Sequence, residues 1–148
     1  MNSESSPTYM PGAVQGTIVN LAQAAAVSAS TGTIYNPCSP GSIGITQQMS
    51  GLNFTSTVAP VACVTGGWTV NGSPSVSFTG TFTDATRASG SGSGPVSSFA
   101  IVSSGQGLTC TVAAGQTFTF TAGGQHGTQS GGNVVCNGTT YNLPMTSW

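Results

Sequence analysis

Lysine is absent from this chain of 148 residues, arginine occurs once, and Asp and Glu together occur twice. Charged residues make up 2% of the sequence, against roughly a quarter in an ordinary soluble domain. That shortage excludes several functions at once. A single arginine and a formal net charge of −1 cannot grip a phosphate backbone, so nucleic acid is not an expected partner. A polybasic membrane patch is excluded on the same ground. Long apolar runs are missing too, and spanning a bilayer takes about 18 such residues. The best candidate, IVNLAQAAAV, carries Asn20 and Gln23, so no membrane insertion is expected. The opening MNSESSPTYMPG has neither a basic n-region nor an apolar h-region and does not read as a signal peptide.

Catalysis lacks its usual materials. Enzymes gather titratable groups in one place, but Glu4 and Asp84 stand far apart, and His126 lies alone in GGQHGTQSGG. There is no GxSxG elbow, no P-loop lysine and no HExxH. His126 therefore reads as a polar residue in a flexible loop. The tract ASGSGSGP (88–95) is Gly-rich without the GxGxxG spacing and reads as a flexible connector. No catalytic, cofactor-binding or metal-ligating residue is predicted, and the chain is not expected to be an enzyme.

What the sequence does hold is 37% hydrophobic residues, 22 Gly, 21 Ser and 22 Thr. Disordered chains pair high charge with few apolar groups, and this chain does neither. Its length fits one domain able to bury a core. From about residue 43 the pattern has period two. SVSFTGTFT (75–83) places Val76, Phe78 and Phe82 on one face; QTFTFTA (116–122) does so with Phe118, Phe120 and Ala122, and GLTCTVA (107–113) with Leu108, Cys110 and Val112. Weaker cases are IGITQQM, LNFTSTVA, GWTVNG, VSSFAIVSS and NVVCNGTTYNLP. Alternating Thr, Val and Phe suit a pleated, half-buried surface. Turn residues fall between them: GG before Trp68, NGSP at 71–74, AAGQ at 113–116 and NGT at 137–139. The spacing predicts an all-β fold: a single β-sandwich or jelly roll of about seven to nine short antiparallel strands over residues 36–148.

Residues 1–12, with Pro7 and Pro11, read as an extended N-terminal arm. Residues 13–35 form a segment of small side chains whose alanines favour helix, while Val19, Leu21, Ala25, Val27 and Ala29 also share one strand face. It reads as an extended segment, with a short helix as the alternative. Small residues let a backbone lie against a partner sheet, so this region is expected to make the subunit contact through Tyr9, Ile18, Val19, Leu21 and Val27. Trp148, the last residue, is expected to anchor into a neighbour.

Four cysteines, Cys38, Cys63, Cys110 and Cys136, allow two disulfides in three connectivities, or four small buried apolar residues. Asp84 and Arg87 are spaced as the ends of one turn and are expected to form a turn ion pair. Trp68, Trp148, Tyr9, Tyr35 and Tyr141 are candidates for a sugar-stacking platform, with Trp68 more naturally a core residue.

A charge-poor, Thr/Ser/Gly-rich sandwich with an N-terminal arm resembles β-sandwich subunits of phage or viral particles and of surface filaments. The resemblance implies a non-enzymatic structural protein, without cofactors, whose partners are copies of itself and other proteins of the same particle or filament. Its expected place is a virion, as a decoration, fibre or minor capsid protein. The alternatives are an extracellular or spore-surface filament subunit polymerising by strand exchange, and a carbohydrate-binding module.

Overall fold

Alternating Thr, Val and Phe build two antiparallel sheets in the computed structural model of the chain, which describes residues 10–71, 75–103 and 108–148. The elements are α1 (Met10–Thr31), β1 (Ser42–Ser50), β2 (Asn53–Val61), β3 (Cys63–Thr65), β4 (Trp68–Asn71), β5 (Val76–Phe82), β6 (Gly90–Ser93), β7 (Phe99–Ser103), β8 (Thr109–Val112), β9 (Thr117–Thr121), β10 (His126–Ser130), β11 (Asn133–Cys136), β12 (Thr139–Asn142) and β13 (Thr146–Ser147). A seven-stranded sheet runs β1-β2-β5-β6-β9-β10-β13, and a six-stranded sheet runs β12-β11-β8-β7-β4-β3.

The chain lays two strands in one sheet, then two in the other, and advances in order along both. Among the described residues no strand returns past an earlier neighbour, as the Greek keys of a jelly roll require. The sandwich expectation holds and the strand count exceeds it. Turns fall where the sequence placed them: Gly66-Gly67 joins β3 to β4, and Asn137-Gly138, both at positive φ, joins β11 to β12. The NGSP turn lies mostly outside the described residues.

Inward positions carry the core. Phe54, Val76, Phe78, Phe82, Phe118 and Phe120 of the larger sheet are buried, as are Trp68, Val70, Ile101, Cys110, Val112, Val134 and Cys136 of the smaller. Phenylalanine rings pack edge to face, Phe82 on Phe120 at 5.9 Å and Phe78 on Phe118 at 6.1 Å. Ala122, expected on the buried face of β9, is exposed at positive φ in the turn to β10.

The N-terminal expectation is corrected. Residues 10–31 form a helix, buried on nearly every side. At 1.5 Å per residue it is about 33 Å long. A strand in that place would carry N–H and C=O groups into the interior with no ladder partner, whereas a helix satisfies its own. Ala22, Ala24, Ala25, Ala26 and Ala29 keep it thin enough to lie inside the sandwich. Ser56 Oγ of β2 donates to Ala25 O at 3.1 Å, and Gln15 Nε2 reaches Gln129 O of β10 at 3.5 Å. Toward the smaller sheet, Thr17 Oγ1 donates to Thr65 O at 3.2 Å and Asn20 Nδ2 to Thr65 Oγ1 at 2.8 Å. Gly32, at φ 73°, ends the helix by donating to Ser28 O.

A second correction concerns the glycine-serine tract. Residues 90–93 are no free connector: they form β6, the middle strand of the larger sheet, paired with β5 and β9. Ser91 and Ser93 face outward, while Gly90 and Gly92 face the rings of Phe120 and Phe118. A Cβ at Gly92 would stand 2.9 Å from the Phe118 ring and 2.0 Å from Thr79 O. His126 likewise belongs to a strand, opening β10 opposite Thr121.

Candidate assembly interface

A two-sheet sandwich has four edges, and three of these are blunt. β12 is four residues long and β13 two. β3 is three residues long and is covered by the segment before β1: Ser39 N donates to Val64 O at 2.8 Å and Val64 N to Pro40 O at 2.9 Å. The Cys38–Cys63 disulfide holds that cover down.

β1 is different. It runs nine residues in unbroken register against β2, from Ser42 opposite Val61 to Ser50 opposite Asn53. Among the described residues its other edge has no strand neighbour in the seven-stranded sheet. Natural edges are protected by charge, proline, bulges or shortness, and SIGITQQMS has none of these. Ile43, Ile45, Gln47 and Met49 take the inner face; Ser42, Gly44, Thr46, Gln48 and Ser50 take the outer. Apolar surface is exposed beside this hairpin, with Met49 40%, Leu52 37% and Val61 62% accessible.

The outer face of the same sheet is a hydroxyl array. Register aligns Gln48, Thr55, Thr79, Ser93, Thr117 and Ser130 in one row across the strands. Ser50, Asn53, Thr81, Ser91, Thr119, Thr128 and Ser147 form the next. Cross-strand hydrogen bonds hold the rows, as between Thr119 and Thr128 at 2.8 Å and from Thr81 Oγ1 to Asn53 Oδ1 at 2.7 Å. Between the rows lies a shallow depression of about 470 Å³, floored at Phe54, Gly80 and Gly92. This face offers many neutral hydrogen-bonding groups and no charge.

The residues expected at a subunit contact are placed elsewhere. Ile18, Val19, Leu21 and Val27 lie in the chain's own interior, 0–4% accessible. Trp148 anchors to its own sheet: its Nε1 donates to Gly124 O at 2.9 Å, its backbone pairs with Gly127, and its ring covers that glycine. Tyr9 lies outside the described residues. The cysteines pair Cys38–Cys63 and Cys110–Cys136, the second joining residues directly opposite in β8 and β11.

Asp84 and Arg87 share a turn, with Arg87 N donating to Asp84 O at 3.1 Å, but the expected ion pair is not formed. Asp84 Oδ1 accepts instead from the amide and hydroxyl of Thr86, which hold its carboxyl below the usual carboxylate range. The Arg87 guanidinium lies 5.8 Å from the centre of the Phe82 ring.

Of the aromatics considered for a sugar platform, Trp68 is fully buried and Tyr35, Tyr141 and Trp148 are accessible in part. Among the described residues no three His, Cys, Asp or Glu side chains gather into a metal site, and no helix is long and apolar enough to cross a membrane. No protein-family model, curated protein or solved structure matches the chain.

The free edge of β1 was missed in the sequence. IGITQQM shows its alternation there, but nothing local says on which side a strand lacks a neighbour.

Proposed function

We propose that this chain is a non-enzymatic structural protein that self-assembles, using the free edge of β1 as its joint. The observation that carries the reading is a nine-residue edge strand without charge, proline or bulge. Unpaired N–H and C=O groups along such an edge are a template for another strand, and main-chain pairing needs no charge. The neutral outer face removes the repulsion that keeps proteins dispersed. The wider setting is a virion component, a decoration, fibre or minor capsid protein, with other proteins of the particle as further partners. A second setting, an extracellular or cell-surface filament, is favoured by the two disulfides, which persist in oxidising surroundings. Strand exchange through residues 10–31 is not part of the reading, because that segment is a helix inside its own sandwich.

Light scattering across a range of concentrations, with electron microscopy of the same samples, tests the proposal. Dimers or larger assemblies are expected, and Gln48→Lys, which places a charge on the outer face of β1, is expected to raise the concentration needed for association at least tenfold. A chain that stays monomeric throughout overturns the reading.

A further inference from the structure

We infer that two copies join by antiparallel pairing of β1 with β1 about a two-fold axis through Thr46, making one continuous sheet of fourteen strands from two of seven. This rests on the reading of β1 as the assembly edge and says what occupies it.

Length is the first reason. The other edge strands, β3, β12 and β13, are three, four and two residues long, so among the described residues only a second β1 offers nine to pair with nine. Closed two-fold contacts of this kind use the same patch on both copies.

Parity is the second. Residues directly opposite in an antiparallel pair point to the same face. Inner residues of β1 are odd-numbered and outer residues even-numbered. Partner numbers must therefore sum to an even value, and the axis must pass through a residue. Centred on Thr46, all nine residues of β1 find a partner. Moving the axis to Ile45 or Gln47 leaves two residues of each strand unpaired.

Side-chain matching is the third. On the inner face Ile43 meets the partner's Met49 and Ile45 meets the partner's Gln47, so each Met49, 40% accessible in one copy, gains an aliphatic neighbour. On the outer face Ser42 meets Ser50, Gly44 meets Gln48, and Thr46 meets its own equivalent, so the polar rows continue across the joint. No like charges oppose within the paired strands, because SIGITQQMS carries no charged residue.

The test is cysteine cross-linking in the full chain. All four native cysteines are in disulfides, so an added thiol has no free partner within its own copy. Thr46→Cys is exposed, and its symmetry mate would stand about 4.5–5.5 Å away, Cα to Cα, within disulfide range. Under mild oxidation most of this variant is expected as a covalent dimer. Gly44→Cys, where a Cβ meets nothing within 4 Å, and Gln48→Cys are expected to cross-link to each other when mixed and far less to themselves. Thr119→Cys, in the middle of the same outer face, is the collision control. If the chain forms multimers yet Thr46→Cys cross-links no more than Thr119→Cys, the two-fold pairing is wrong while the assembly proposal stands. Strong self-linking of Gly44→Cys alone also overturns it, by showing another register. A chain monomeric at every concentration overturns both.

Discussion

Asp84 shows how a rare charge is used in a nearly neutral chain. Its carboxylate does not face Arg87; it caps the turn through the Thr86 amide at 3.0 Å and the Thr86 hydroxyl. Both bonds favour the ionised form, so the folded-state pKa lies below the ordinary 3.8. A depressed carboxylate stabilises the fold above its unfolded pKa, and that contribution fades as pH falls through the folded pKa. The Asp84 contribution is therefore expected to be constant above about pH 5, to begin to fall near pH 4 and to be gone only below the folded-state pKa. Thermal midpoints of wild type and Asp84→Asn, measured from pH 2 to 7, isolate it: the two curves should converge as the acid end is approached. A constant difference across that range would contradict the assignment.

Among the elements, β6 carries the clearest lesson about what a sequence displays. Strands β5, β8 and β9 are legible because each buries its own large side chains on one face, and the period shows in the letters. β6 has no side chains to bury. Its inner positions are defined by rings from Phe118 and Phe120, which come much later in the chain. Glycine there looks the same as glycine in a linker, so the strand reads as a connector. α1 hides for a different reason. Alanine suits a helix or a close-packed strand, and burial on nearly every side removes the polar stripe that would reveal a helical period. The free edge of β1 is hidden more deeply, since being an edge depends on the order of every other strand. The packing at β6 is testable. In Gly92→Ala the new methyl meets Thr79 O, Gly80 Cα and the Phe118 ring, two of them backbone atoms with little room to shift. Overpacking of this kind costs about 1–3 kcal/mol, and urea unfolding is expected to show a loss at the upper end of that range. Ser91→Ala, one residue away on the outer face, is expected to change stability by less than about 0.5 kcal/mol. Equal losses in both variants would mean that the glycine face is not packed as described.

For the whole molecule, the helix decides whether the sandwich exists. Met10, Val14, Ile18, Val19, Leu21 and Val27 are each 4% accessible or less, and Met10, Val14, Ile18 and Leu21 belong to one core with residues of both sheets. Burying such side chains contributes about 1.5–3 kcal/mol each, so the six together contribute on the order of 10 kcal/mol. That equals the net stability of a typical domain, about 5–15 kcal/mol. Ala22, Ala24, Ala25 and Ala26 are fully buried, with Ala25 O accepting from Ser56 Oγ of β2 and the Ala26–Val27 backbone lying against Gly124 in the turn after β9. The disulfides restrain the unfolded chain, closing loops with separations of 25 and 26 residues, but neither bond spans the helix or fills its place. A chain lacking residues 1–31 is therefore expected to keep its disulfides and lose its fold. With both disulfides intact it should bind a hydrophobic dye and show no cooperative thermal transition. The same experiment separates the two roles open to the N-terminal region. If α1 were only a joint between copies, the shortened chain would melt cooperatively and sediment as a folded monomer. A cooperative melt from that chain would place the core in the sheets alone; a molten chain would show that the core depends on α1.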